Sequence, residues 1–213
     1  MSAVPPTAVR IALSLAFLAG ALTGCAKAQE PQPVPAVPAA EPAAQSFGDF
    51  GTLSQNDIAI RLRNDELEIR FVPLDPRVVG LVARDAAASL QRLLARHRAE
   101  VDSAAAVSGV SEPGLALVSF FGQRDGVRFD AQLLTLTVQN RLLRPLAIVP
   151  LSPDFSSQQL DARASVMAIY LFEELLPVWN PFTVTYGALT SSDWERRLPT
   201  LERERARLAA RPR

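Results

Sequence analysis

An α+β fold, mainly an antiparallel β-sandwich with one inserted amphipathic helix and a C-terminal helix, is predicted by three observations. Short runs that alternate apolar and polar side chains recur along the second half of the chain and read as half-buried strands. Two stretches switch to a three- and four-residue apolar period, the stripe of an amphipathic helix. Polar turns, rather than regular helices, separate most of the runs, which favours antiparallel over parallel pairing. The predicted organisation is residues 1–24 as a cleaved leader, 25–46 as a tether, 47–190 as the globular domain with a helix over about 76–103, and 191–213 as a terminal helix and tail.

Residues 57–72 predict a β-hairpin. Ile58, Ile60 and Leu62 alternate with Ala59, Arg61 and Arg63, and Leu67, Ile69 and Phe71 alternate with Glu68 and Arg70. Asn64-Asp65 lies between the runs and tolerates the left-handed backbone of a tight turn. From Pro76 the period changes: Val78, Val79, Val82, Ala86, Leu90, Leu93, Leu94 and His97 form one stripe, with Asp75 as the cap and Pro76 at the first helical position. The small residues of 104–114, with Gly109 and Pro113, are expected to end that helix. Strands follow over 115–121, 127–140, 146–151, 166–172 and 182–186, and Pro150 marks the third of these as an edge strand or its end. In the Phe120-Phe121 pair, adjacent strand residues point to opposite faces, so one ring has to leave the core between the sheets, with the helix as its expected cover. The terminal helix carries Trp194, Leu198, Leu201 and Leu208, a Ser192/Glu195 capping box, and Pro199, where the helix is expected to restart.

The N-terminus defines the address. A positive region carrying Arg10 precedes an uncharged apolar run over 11–20, the layout of an export signal. That run is about half of the roughly 20 residues needed to span a bilayer. Leu22-Thr23-Gly24-Cys25 closes it and resembles the bacterial lipobox, which implies that the Cys25 thiol receives a diacylglyceryl group and becomes the first mature residue. One acyl chain binds a membrane only marginally, at about 0.8 kcal/mol per buried methylene, whereas the two or three chains that the motif implies make detachment negligible. Cys25 is the only cysteine, so an internal disulfide is excluded. Ala26 stands where inner-membrane retention uses aspartate, and by resemblance to the Gram-negative sorting rule the outer membrane, on its periplasmic face, is the expected location. Residues 26–45 hold prolines at 31, 33, 35, 38 and 42 and no aromatic side chain, too little apolar surface to offset chain ordering. Where such a segment is polyproline-like it extends by about 3.1 Å per residue.

Composition narrows the chemistry. The chain holds 22 basic and 22 acidic residues, and removal of the leader with Arg10 leaves it one unit negative. No basic patch interleaved with aromatics is present, so nucleic acid is not an expected partner. His97 is the one histidine; with an acylated cysteine this excludes a Cys-His pair and a histidine-rich zinc site. No serine lies in a Gly-x-Ser-x-Gly context. Glu173-Glu174, Asp125 and Asp130 are read as solvated strand-end acids, and Gly122 to Gly126 as a turn rather than a phosphate cradle. No catalytic residue, metal or cofactor is expected.

Two family likenesses bear on the domain. The corner from Val138-Gln139-Asn140 to Arg144-Pro145-Leu146 is similar in feel to immunoglobulin-like envelope domains. The run from Leu94 to Val101, with Arg98-Ala99 before Val101, resembles the helix of OmpA-type peptidoglycan-binding domains, and implies a diaminopimelate clamp made by Asp75 with Arg96 or Arg98. The Thr-Asp pair and glycine of that family are absent, and strands follow where it has a helix. The expected function is therefore a non-enzymatic, membrane-anchored envelope lipoprotein whose domain binds or supports an envelope protein, its bilayer contact made through Cys25. A carrier of lipid or small apolar ligands is the alternative, and a peptidoglycan binder or carboxylate hydrolase the third reading.

Overall fold

In a computed structural model of the chain, residues 50–210 are described; the lipobox Leu22-Thr23-Gly24-Cys25 and the tether of residues 25–46 lie outside them. The first hairpin forms where alternation predicts it. β1 (Ile60–Arg63) and β2 (Leu67–Pro73) pair antiparallel, with Ile60 opposite Phe71 and Leu62 opposite Ile69. Ile60, Leu62, Leu67, Ile69 and Phe71 are buried, while Arg61 and Arg63 are exposed. The turn closes differently from the expectation. Neither Asn64 nor Asp65 takes a positive φ; instead the Asn64 Oδ1 accepts from the backbone N–H groups of Glu66 (3.0 Å) and Leu67 (2.7 Å), so a side chain does the work of a left-handed backbone.

The expected single helix over 76–103 is three helices: α1 (Pro76–Val79), α2 (Arg84–Arg96) and α3 (Arg98–Val107). Asp75 caps α1 as predicted, its carboxylate accepting from the Arg77 N–H at 2.8 Å. The first break follows from competition for the backbone. Residues 51–53 run alongside 80–83 in a parallel bridge, Leu53 to Val82, with Gly51 N–H bonded to Gly80 O and Ala83 N–H to Leu53 O. Those groups are withdrawn from a helical ladder. A Cβ on Gly51 would lie 1.7 Å from Leu81 O, so only glycine permits this approach. The second break is at His97 (φ −106°, ψ 19°). The helical region also runs on to Val107, because alanine is the best helix former and Ala104, Ala105 and Ala106 do not terminate it. A Schellman closure does: Gly109 (φ 70°) donates to Ala106 O and Val110 donates to Ala105 O.

β3 (Gly114–Gly122) is the longest strand and lies between β2 and β9 (Ser165–Phe172). β7 (Ala147–Pro150) completes a five-stranded sheet of order β1-β2-β3-β9-β7, antiparallel throughout, and occupies the edge that Pro150 predicts. A second antiparallel sheet has the order β11 (Leu189–Ser191), β10 (Thr183–Tyr186), β5 (Leu134–Val138), β6 (Arg141–Leu143). β4 (Val127–Arg128) and β8 (Gln159–Leu160) form a short pair. The single strand expected over 127–140 is divided because Asp130 accepts from Gln132 N–H and starts a 3-10 turn at Ala131–Leu133, and because Gln139 (φ 45°) and Asn140 (φ 65°) turn the chain into β6. Two positive-φ residues in a two-residue loop match the twist of the flanking strands.

The sheets meet along β1, which runs against β10 and β11. Between them Phe120 stacks on Phe129 (centroids 4.5 Å apart) and meets Phe155 and Tyr186 edge-on. A second ring series links Phe172, Phe71, Phe182 and Trp194. Such ring pairs contribute about 0.5–1.5 kcal/mol each beyond area burial. Phe121 takes the opposite face, half-buried between Glu68 and Ser165 in the strand register; α3 packs against β7 and β9 instead. α4 (Asp193–Ala209) passes through Pro199 without restarting. Trp194 and Leu201, both fully buried, hold it on either side, and Trp194 Nε1–H donates to Val178 O at 3.1 Å. The Ser192 side chain makes no capping bond; its carbonyl receives the Glu195 N–H. Near the C-terminal end of α4, the buried Glu204 carboxylate accepts from Thr52 N–H (2.5 Å), Thr52 Oγ1 (3.0 Å) and both forks of Arg207 (2.7 and 2.5 Å). The helix thus clasps the first described residues of the domain.

Two stability predictions follow from these contacts. The Arg207 hydrogen bonds, reinforced by Thr52, hold the Glu204 carboxyl at about 2 against an ordinary 4.5. A depressed folded-state value stabilises the fold above the ordinary carboxylate range and is lost as pH falls through the folded value. Urea midpoints measured from about pH 6 down to pH 2 should therefore fall across this window, and Glu204→Gln should flatten that part of the curve; an identical acid limb in the variant would show the clasp to be inert. Tyr170, fully buried, donates its hydroxyl to Ala131 O at 2.8 Å. Tyr170→Phe leaves that carbonyl unpaired and should cost about 1–3 kcal/mol in urea denaturation.

Candidate functional site

A shallow groove lies between the β5–β6 turn and the segment that follows β9. The turn residues place Arg141 at the start of β6, and its Nη2 reaches Glu174 Oε1 at 2.6 Å. This pair joins two segments 33 positions apart in sequence. Around it lies a groove of about 320 Å³, floored by Val138, Leu175 and Pro177 and edged by Gln139, Arg141, Glu174 and Asn180. Leu142 and Leu175, the residues next after each member of the ion pair, are 51% and 50% exposed, and Leu146 is 45% exposed. Of these leucines Leu175 lines the groove, while Leu142 and Leu146 are exposed in or near the β6 segment. β6 is the last strand of its sheet, so its outer backbone edge has no strand partner among the described residues. Its three-residue length limits indiscriminate edge pairing.

The groove is not the cavity that a carrier of apolar ligands requires. It lies between a hairpin and a loop, not between helix and sheet, and four of its seven lining side chains are polar or charged. The rings of Phe120 on β3, Phe129, Phe155 and Tyr186 on β10 pack against one another in the interior.

The candidate clamp residues are engaged elsewhere. Asp75 is 6% exposed, and besides capping α1 its two carboxylate oxygens accept from Arg77 Nε (2.9 Å) and Nη2 (2.6 Å). That hydrogen bonding raises the Arg77 pKa above its ordinary value. Arg77 Nη2 also reaches Leu176 O at 3.2 Å, fixing the loop behind the groove. Arg98 is exposed at the start of α3 and donates through Nε to both oxygens of Asp102 at 2.8 Å, an i,i+4 pair on one helix face. No ion pair joins Asp75 to Arg98 or Arg96 among the described residues. Each charge is neutralised by a near neighbour in sequence before a distant partner is reached.

The other titratable candidates have local structural tasks. His97 lies at the α2–α3 junction with its Nδ1 3.8 Å from Glu100. Asp125 accepts from Ala162 N–H, Asp130 from Gln132 N–H, and Glu174 pairs with Arg141. Among the described residues no group of three or more His, Cys, Asp or Glu side chains is placed to hold a metal ion. The groove itself was not foreseen from sequence. Gln139-Asn140 between two apolar runs is the one local signal of the hairpin, and the Arg141–Glu174 contact carries none, because it is created by the packing of separate elements. Comparison with protein-family models, curated proteins and solved structures finds no match for this chain.

Proposed function

We propose that the chain is a non-enzymatic envelope lipoprotein that is held in the outer membrane through acylated Cys25 and presents its β-rich domain on a proline-rich tether to a protein partner. The observation that supports this most is the contrast between a ring-packed interior and an open surface groove that holds the Arg141–Glu174 pair, with the half-exposed Leu142 and Leu175 next to its members. Packed rings leave the domain's binding capacity on its surface. Asp125, Asp130 and Glu174 favour the same reading, since they are engaged in a turn, a 3-10 start and an ion pair rather than directed into a shared cleft. The carrier alternative is not supported by the groove, which lies away from the helices, and the peptidoglycan alternative is disfavoured because Asp75 is buried and bonded to Arg77.

The two halves of this reading are tested separately. Cys25→Ser should move the protein from the membrane fraction to the soluble periplasmic fraction; continued tight attachment would overturn the anchor. Leu142→Glu combined with Leu175→Glu changes two half-exposed side chains, so thermal unfolding should stay within a few degrees of the parent. In-cell crosslinking through the groove should lose its specific adduct in this variant, and an unchanged adduct pattern would remove the groove as the docking surface.

A further inference from the structure

Three arginines converge on a single asparagine on the outer face of β1 and β2. Arg61 and Arg70 stand directly opposite each other in the strand register, an arrangement that like charges disfavour. Both donate through Nη2 to Asn56 Oδ1, at 3.0 Å and 2.6 Å. Arg197, on α4, reaches the same place and donates through Nη1 to the carbonyls of Asn56 (2.9 Å) and Asp57 (3.0 Å). Every acceptor in the cluster is a neutral oxygen. The carboxylates nearby are committed: Glu68 to Arg63, Asp57 to the Ser54 N–H and hydroxyl, and Asp193 to Arg196. None of Arg61, Arg70 and Arg197 forms an ion pair among the described residues. The Nε–H groups of Arg70 and Arg197 are buried without a hydrogen-bond partner. Burial, then the Arg61 charge, lowers the Arg70 pKa against an opposing pull from Glu68, and burial lowers that of Arg197 against Asp193 and Asp57, so burial and like charge outweigh the nearby carboxylates.

We propose that Arg61, Arg70 and Arg197 form a binding site for a phosphate group, whose oxygens replace the Asn56 amide oxygen shared by Arg61 and Arg70, with Arg197, held on the adjacent Asn56 and Asp57 carbonyls, as the third donor. The ligand class follows from the donor set. One guanidinium fork satisfies a carboxylate, whereas a phosphate presents more oxygens and up to two charges and calls for several forks. Asn56 is an exposed side chain, so its amide can leave the position without exposing any core. In the strand register Ser119 on β3 stands opposite Arg70, with the half-buried Phe121 two residues further on. A soluble phosphate and the headgroup of an anionic phospholipid offer the same group to these donors. The site is separate from the groove, and its assignment does not depend on the groove having a partner.

The test uses the full chain carrying Cys25→Ser. Titration calorimetry and thermal unfolding are followed with inorganic phosphate, and co-sedimentation compares phosphatidylglycerol-containing vesicles with phosphatidylcholine vesicles. Phosphate is expected to bind and to raise the unfolding midpoint, or the chain is expected to prefer the phosphatidylglycerol vesicles; the first result assigns a soluble source and the second a headgroup. Arg197→Gln should weaken the observed binding by about tenfold or more. Arg61→Glu supplies a carboxylate to the cluster, so it should abolish binding while leaving the unfolding midpoint of the ligand-free chain unchanged or higher. Leu142→Glu with Leu175→Glu should leave phosphate binding intact. Absence of binding in both arms, or binding undiminished in Arg61→Glu, would overturn the proposal.

Discussion

The structure depends on the double pairing of β3. Seven of its nine residues pair on one side with β2, from Leu67 opposite Gly122 to Pro73 opposite Ala116, and eight on the other with β9, from Gly114 opposite Phe172 to Phe121 opposite Ser165. A strand paired on both edges cannot shift by one residue without turning every side chain to the opposite face. That register sends Ala116, Val118 and Phe120 inward and places Phe120 against Phe129, Phe155 and Tyr186. It also sets the outer face, where Ser119 stands beside Arg70 and Phe121 beside Glu68. The ring cluster and the charged face are therefore two consequences of one pairing.

The remaining elements are fastened to this frame by a few long-range contacts of different kinds. Phe182 and Trp194 carry the ring series from Phe71 on β2 to α4. Arg205 lies over the Trp179 ring at 4.4 Å and ties α4 to the loop after β9, a cation–π contact that is tolerant of solvent. At the far end Glu204 takes four hydrogen bonds from Thr52 and Arg207. A carboxylate so fully saturated keeps its charge where an isolated one would not, which is how an acidic side chain is accommodated at 6% exposure. The same rule separates the two charged surfaces. Arg141 and Glu174 satisfy one another and make a rigid bridge, whereas Arg61, Arg70 and Arg197 share neutral oxygens and retain unmet donor capacity.

Elements whose signal is local were legible in the residues. The β1–β2 hairpin, the central strand, the edge character of the strand holding Pro150, the Asp75 cap and the terminal helix each rest on periodicity or on one residue's backbone preference. Two of the misread boundaries have a common cause. Residues 80–83 leave the helix because 51–53 claim their backbone groups, and α4 runs through Pro199 because Trp194 and Leu201 anchor both sides of it. In each case a tertiary contact outweighs a propensity of about one to three kcal/mol. The Asn64-Asp65 turn was located correctly, but its closure by a side chain was not foreseen, since asparagine suits either device.

Sequence by itself determined the α+β class, the antiparallel strand character and the apolar face of each main element, because period and turn chemistry act over a few residues. It also determined the reagents at hand, one histidine, His97, and a single cysteine, Cys25. Only the tertiary structure decided which charges meet. Asp75 and Arg98 suggest a pair in the sequence and are each taken by a nearer neighbour, while Arg141 and Glu174, or Arg61, Arg70 and Arg197, are brought together from distant segments. Charge has no periodicity that reports its partner: an ion pair is set by which elements the core brings within a few ångströms of each other, and that is a property of the packed fold.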